Sequence, residues 1–234
     1  MTLEFGYDTG VQKVDVPEEN LLEVLTPNEV PLPETDEETL VRTALEHPIG
    51  APRLREIVRP GEKIAIVTSD VSRPMPTWKV MGPLLDELYA AGAAREDITL
   101  VFGRGVHRAQ TEEERRHLAG ERAWKEIACM DSDPEDTVVL GTTRRGTPVE
   151  LMRAVAQADR RILLGNIEFH YFAGYSGGAK ALMPGVSTRR AIRCNHSHMA
   201  EAGAHAGLLE GNPVREDIEE AAAIAGADFI LNVV

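Results

Sequence analysis

With 234 residues, 43% apolar and 27% charged, the chain carries enough material for one generous α/β domain of ordinary globular composition. Its 38 carboxylates against 25 basic side chains give a formal net charge of -13, which disfavours non-specific binding to nucleic acid or an anionic membrane. Two distant cysteines, Cys129 and Cys194, make no disulfide framework. With no apolar h-region at the N-terminus and no apolar run of the roughly 20 residues that span a bilayer, the expected location is the cytoplasm.

The first 35 residues, rich in Pro and acid, read as a short strand followed by an extended arm. Leu40, Val41 and Leu45 are spaced for a helix over 35–47, and 52–58 forms a second, short helix closed by Pro60-Gly61. Lys63 to Thr68 is a continuous β-rich run, as expected of a parallel strand buried on both faces. A helix over 77–93 carries Val80, Leu84, Leu85 and Leu88 on one face, and 98–102 is the next strand. A polar helix starts at Thr111 with a Thr111–Glu114 capping box. A short strand at 138–140, a helix over 149–158 and a strand at 161–164 follow. Glycines and Pro184 break up 173–186, leaving one or two helical turns, before a helix over 212–225 with Pro213 in its first turn. A last strand spans 228–234. The alternation predicts an α/β fold with a doubly wound, mostly parallel, Rossmann-like sheet and flanking helices.

Ligands collect at the carboxyl ends of the strands in such a sheet. Three strands run into polar loops, which offer Asp70 with Arg73, His107 with Arg108, and Glu168 with His170 on one sheet edge. Pro74 and Pro76 stiffen the first loop, where Arg73 is placed either to clamp a carboxylate or phosphate or to pair with Asp70 and shape the turn. His107 follows Gly103-Arg104-Gly105 and, with His170, is a candidate acid or base near neutral pH.

The most informative segment is HYFAGYSGGAKALMPG, from His170. It fails the phosphate-loop pattern, because Ala179 precedes Lys180 and Ala181 follows it, which argues against a nucleoside triphosphatase. What remains is Ser176-Gly177-Gly178 opening a helical turn, whose N–H groups suit an anion, with Lys180 as a point charge or a covalent amine. Further on, Cys194, His196 and His198 have metal-binding chemistry. Their helical spacing points them in different directions, so one histidine acting alone as a ligand fits better than a closed zinc site.

Taken together, Asp70-x-x-Arg73-Pro74, Gly105-x-His107-Arg108, His170-x-x-Ala173-Gly174-Tyr175-Ser176-Gly177-Gly178-x-Lys180, Pro184-Gly185 and Asn195-His196 resemble the nickel-dependent lactate racemase family. GNPVREDIEEAA at 211–222 is also similar to that family's segment after the active site, and the resemblance runs over nearly the whole chain. It implies a nickel-pincer nucleotide, a nicotinate-derived mononucleotide joined through a thioamide to Lys180, with His196 as a nickel ligand. Ser176, Gly177 and Gly178 would surround the cofactor. The resemblance further implies that His107 and His170 are the two acid–base groups, one for each enantiomer of a 2-hydroxy acid. Arg73 would hold the substrate carboxylate with Asp70 beside it, while hydride passes to the cofactor and back to the other face. Accessory enzymes that make the cofactor are implied partners.

Members of that family have two domains, with the cofactor in the cleft between them. Residues 1–234 are accordingly expected to be the N-terminal cofactor-binding domain, without the C-terminal domain and the substrate-contacting lysine it contributes, and not to racemise efficiently alone. Two readings from other classes stand beside this one. A non-catalytic module would hold a nucleotide or anion at the Ser176-Gly177-Gly178 loop, and a zinc hydrolase would use Cys194, His196 and His198.

Overall fold

A computed structural model of the chain describes residues 1–26, 28, 30, 31 and 33–234. It divides into two compact units, Met1–Thr35 and Asp36–Val234. In the first, β1 (Thr2–Tyr7) and β2 (Gly10–Asp15) pair antiparallel, so the expected strand-and-arm is a hairpin, turned at Asp8 with φ 52°. The alternation of a two-residue period separates its faces. Thr2 pairs with Asp15 and Glu4 with Lys13 on one face, while Leu3, Phe5, Tyr7 and Val14 share the other.

The second unit begins with α1 (Glu37–Glu46), whose N-cap Asp36 accepts from the Thr39 N–H, and α2 (Leu54–Ile57). Next come β3 (Ile64–Ser69), α3 (Thr77–Ala90), β4 (Ile98–Gly103), α4 (Glu112–Glu126) and β5 (Ala128–Asp131). Then follow β6 (Thr137–Thr142), β7 (Pro148–Met152), α5 (Arg153–Ala156) and β8 (Arg160–Asn166). Two two-residue strands, β9 (Phe169–His170) and β10 (Gly174–Tyr175), precede α6 (Arg189–Ser197), α7 (Pro213–Ala225) and β11 (Phe229–Val233).

Five of these strands form one all-parallel sheet in the order β11-β8-β3-β4-β5, which is the predicted fold class. Successive side chains leave a strand on opposite faces, and here both faces are covered. Ile64, Ile66, Leu100, Phe102, Ile162 and Leu164 pack with Leu45, Leu54, Leu84, Leu88 and Leu118 from α1 to α4. Ala65, Val67, Val101 and Leu163 pack instead with Val149, Leu151, Val155, Leu182, Met183, Ile218 and Ala221. Each fully buried Leu, Ile or Phe contributes about 1.5–3 kcal/mol, so the two layers hold the sheet as a rigid platform.

Two expectations change. Residues 149–152, read as the start of a helix, belong to β7, paired antiparallel with β6 outside the parallel sheet, and only one helical turn follows. All five residues of β7 are buried, Glu150 included, and a short run buried throughout has no periodicity to separate strand from helix. The polar helix from Thr111 has its predicted capping box but continues to Glu126 past a break at Gly120, and it leads into β5, which is too short and mixed to announce itself. Among the described residues, no helix is long and apolar enough to cross a membrane.

Candidate active site

The chain runs outward from β3 to β4 and β5, then returns to the other side of β3 for β8 and β11. Loops leaving β3 and β8 therefore diverge, and such a switch point is where open α/β sheets bind ligands. A cavity of about 470 Å³ lies there, lined by the ends of β3, β4 and β8, by parts of segment 168–185 and by Ile192 and His196 of α6. Glycines let the backbone pass close over the sheet. A Cβ on Gly165 would lie 2.8 Å from Gly177 Cα, and one on Gly103 would lie 3.0 Å from Gly185 Cα.

Asp70, Arg73, His107, His170, Ser176, Gly177, Lys180 and His196 all line this cavity. Asp70 follows β3 directly and is only 4% exposed. Its Oδ2 accepts from His107 Nδ1 at 2.7 Å, and Oδ1 accepts from the Ser72 hydroxyl at 2.6 Å. The sequence sets Asp70 beside Arg73, but the structure commits its carboxylate to His107. Because a carboxylate only accepts, His107 carries its proton on Nδ1 and keeps the Nε2 lone pair. The loop is held from both sides: Arg104 donates to the His107 carbonyl at 2.8 Å, and Gln110 Oε1 accepts the Val71 N–H at 2.8 Å. Arg73 is exposed, and among the described residues no ion pair engages it.

His170 sits on the miniature β9–β10 ladder, edge-on to Phe172 with ring centroids 4.6 Å apart. Its Nδ1 accepts the Ala173 N–H at 3.2 Å, which places the proton of the neutral ring on Nε2. Burial, followed by the charges of Lys180 and Arg73, lowers its pKa to about 4. The two histidines are thus held in opposite tautomers.

Lys180 lies partly buried in the 3-10 turn Gly178–Ala181. Burial, and then the charges of Arg73 and Arg215, brings its amine down to about 7, so a large fraction is neutral and nucleophilic at neutral pH. His196, half-buried on α6, is held below the ordinary histidine range by burial and by Lys180. Its Nδ1 lies 3.0 Å from Asn195 Oδ1, and Phe172 packs edge-on against it at 5.0 Å.

The glycine loop is more occupied than its sequence suggests. Ser176 donates its hydroxyl to the Asn166 carbonyl at 2.6 Å and its N–H to the Glu168 carbonyl at 2.9 Å. Gly178 is not part of the cavity lining, and its N–H is taken by Asn232 Oδ1 at 3.1 Å. Arg108 is drawn off to Glu114. Cys194 Sγ reaches the Gly146 carbonyl at 3.6 Å and His198 pairs with Glu201 at 2.7 Å, so these two diverge from His196. Among the described residues no three His, Cys, Asp or Glu side chains form a metal-binding group.

Sequence reasoning missed Asn166, Gln110, Arg215 and Asn232. Asn166 ends β8, is 8% exposed and lines the cavity with its Nδ2 unpartnered, and the strand-end rule could have found it. Nothing local marks Asn232 or Arg215, because their roles come from elements far apart in sequence.

The fold and site define an α/β domain with a lysine of lowered pKa, two histidines and an arginine gathered at the switch point of a parallel sheet, side chains capable of covalent and acid–base chemistry. The lactate racemase N-terminal domain model matches residues 7–207, and the chain belongs to that family. It is 32% identical over 99% of its length to a lactate racemase of Thermoanaerobacterium thermosaccharolyticum. A lactate racemase of Lactiplantibacillus plantarum is also 32% identical, over 85% of this chain. The chain spans only about half of these relatives, 56% and 48% of their lengths. The solved lactate racemase apoprotein from T. thermosaccharolyticum superposes with a TM-score of 0.86, covering all of this chain and 56% of that one. A Thermotoga maritima protein, 20% identical with a TM-score of 0.64 over 80% of this chain and 47% of its own, shares the fold.

Proposed function

We propose that this chain is the cofactor-holding part of a 2-hydroxy-acid racemase or epimerase acting on a lactate-like substrate. The nickel-pincer nucleotide would be joined to Lys180. The observation that carries this reading is the Lys180 amine, lowered to about 7, in one cavity with His107, His170, Arg73 and His196.

The residues fit such a cofactor. His196 lines the cavity without belonging to any group of three His, Cys, Asp or Glu side chains among the described residues, which suits a cofactor that brings its own metal ligands. Lys180 supplies the nucleophilic amine, and the Gly165–Gly177 contact admits no side chain between loop and strand. Ser176 and Gly177 form part of the same wall. When bound, the cofactor supplies the acceptor for hydride from the substrate α-carbon.

The chain's own residues do the rest. Arg73 holds the substrate carboxylate through paired N–H donors. His107 takes the hydroxyl proton at Nε2, while Asp70 fixes its tautomer and holds the imidazolium that forms. His170 serves the other enantiomer, taking a proton at Nε2 once its ring leaves the tautomer that the Ala173 N–H holds. With Lys180 joined to the cofactor and Arg73 on a carboxylate, the two charges that most oppose protonation of His170 are neutralised, which raises its pKa while burial, the larger cause, continues to lower it.

The test is co-expression with the cofactor-making accessory enzymes, followed by intact mass and metal analysis. A covalent adduct mapped to Lys180, absent from Lys180→Ala, with one nickel per chain, is expected. Chiral assay of the complete gene product over 2-hydroxy acids then identifies the substrate. An unmodified mass without nickel would sink the reading, and stoichiometric zinc without an organic group would favour a hydrolase instead.

A further inference from the structure

Behind the cavity wall lies a buried polar chain that this function leaves unexplained. Asp217 on α7, Asn195 on α6, and Thr147 in the β6–β7 turn are 0% exposed, with Thr143 at 4%. None of the four lines the cavity. Asp217 accepts three hydrogen bonds: from Thr143 Oγ1 at 2.5 Å, Thr147 Oγ1 at 2.6 Å and Asn195 Nδ2 at 2.8 Å. Thr143 Oγ1 already accepts the Thr147 N–H at 3.1 Å, so its own proton goes to Asp217.

This arrangement fixes which way the Asn195 amide points. Its Nδ2 faces two groups that only accept, the Asp217 carboxylate and the Val214 carbonyl at 3.2 Å. The amide oxygen is therefore the atom 3.0 Å from His196 Nδ1, and an oxygen there requires a hydrogen on Nδ1. A neutral imidazole has one ring hydrogen, so Nε2 is left with its lone pair. Turning the amide over would set N–H against the ring and strand a carbonyl oxygen against a buried carboxylate, which buried polar groups do not tolerate cheaply.

We infer that Asp217 and Asn195 are positioning residues that lock His196 in the Nδ1–H tautomer and keep Nε2 free to bind metal. The inference rests on the proposed role of His196 as the metal ligand, since donation of a ligand histidine's second nitrogen to a fixed acceptor is how proteins orient such ligands. It adds two residues and one direction of hydrogen bonding that the cavity itself does not reveal.

The test is ¹⁵N-histidine NMR of the chain without nickel or nucleotide, reading the ring tautomer of His196, assigned by its loss in His196→Gln. The native protein should show Nδ1–H. In Asp217→Leu the amide at 195 loses its carboxylate acceptor, and the tautomer ratio should move about fivefold toward Nε2–H. If Asp217→Leu does not fold, Thr147→Val, which removes one of the hydroxyls holding the carboxylate, should give a smaller shift in the same direction. Native His196 in the Nε2–H form overturns the inference, as does an unchanged tautomer in the folded variant. The spectra need no cofactor, so they stand apart from the Lys180 adduct measurement: loss of the adduct would remove the metal role and leave the tautomer lock intact.

Discussion

Asp70 Oδ2 meets His107 Nδ1 at 2.7 Å across 37 residues of sequence, joining the loops that follow two adjacent parallel strands. The pair leaves the His107 Nε2 lone pair free, as the proposed base requires, and sets a buried carboxylate beside the ring. Asp70→Asn keeps the shape and the Ser72 contact but lets the ring tautomer relax. We expect kcat for racemisation by the cofactor-loaded complete gene product to fall by about 10–100-fold with KM within about twofold, because Arg73 is untouched. A rise in KM alone would place Asp70 on the substrate instead.

Lys180 is held near 7 when folded, against 10.5 as an ordinary lysine. Between those values the unfolded chain binds a proton that the folded chain does not, so stability rises with pH across this window and the penalty is fully present below it. Lys180→Met removes the buried charge and should stabilise the chain at pH 6 by about 2–4 kcal/mol while abolishing the adduct. Urea titrations at pH 6 and pH 10 check this: the gap between variant and native protein should shrink at the higher pH.

His170 behaves likewise at lower pH. Its folded value of about 4 lies below the ordinary 6.5, so its contribution is complete above about 6.5 and is lost as pH falls toward 4. Since Lys180 is the largest charge acting on it, Lys180→Met should raise the His170 midpoint by about one pH unit in an NMR titration. No movement would mean that burial alone sets the value.

Gly177 has φ +76°, and a Cβ there would lie 2.9 Å from Asn232 Oδ1, the atom that accepts the Gly178 N–H. Gly177→Ala should cost about 2–4 kcal/mol from backbone strain and the displaced Asn232. Gly146, at φ +87° with nothing within 4 Å, separates the two effects. Gly146→Ala should cost only about 1 kcal/mol, measured by the same denaturant midpoints.

Much of this was legible in the linear chain. The buried parallel strands at Ile64–Ser69, Ile98–Gly103 and Arg160–Asn166 declare themselves through apolar runs that end in turn residues, and the strand-end rule puts Asp70, Arg73, His107 and His170 on one edge. The segment from His170 to Lys180 and on to His196 carries the family resemblance. The β6–β7 hairpin was hidden because a short run buried on all sides has the same pattern in either conformation.

What the sequence determined by itself is therefore the set of side chains and the sheet edge to which they belong, since periodicity and turn residues are local properties. Tertiary structure decided which of them touch. Asp70 went to His107 rather than Arg73, Gly178 gave its N–H to Asn232, and Asp217, 22 residues from Asn195, set the amide beside His196. Hydrogen-bond direction, burial and the resulting pKa values depend on distances between elements that only the packed sheet and its two helical layers bring together.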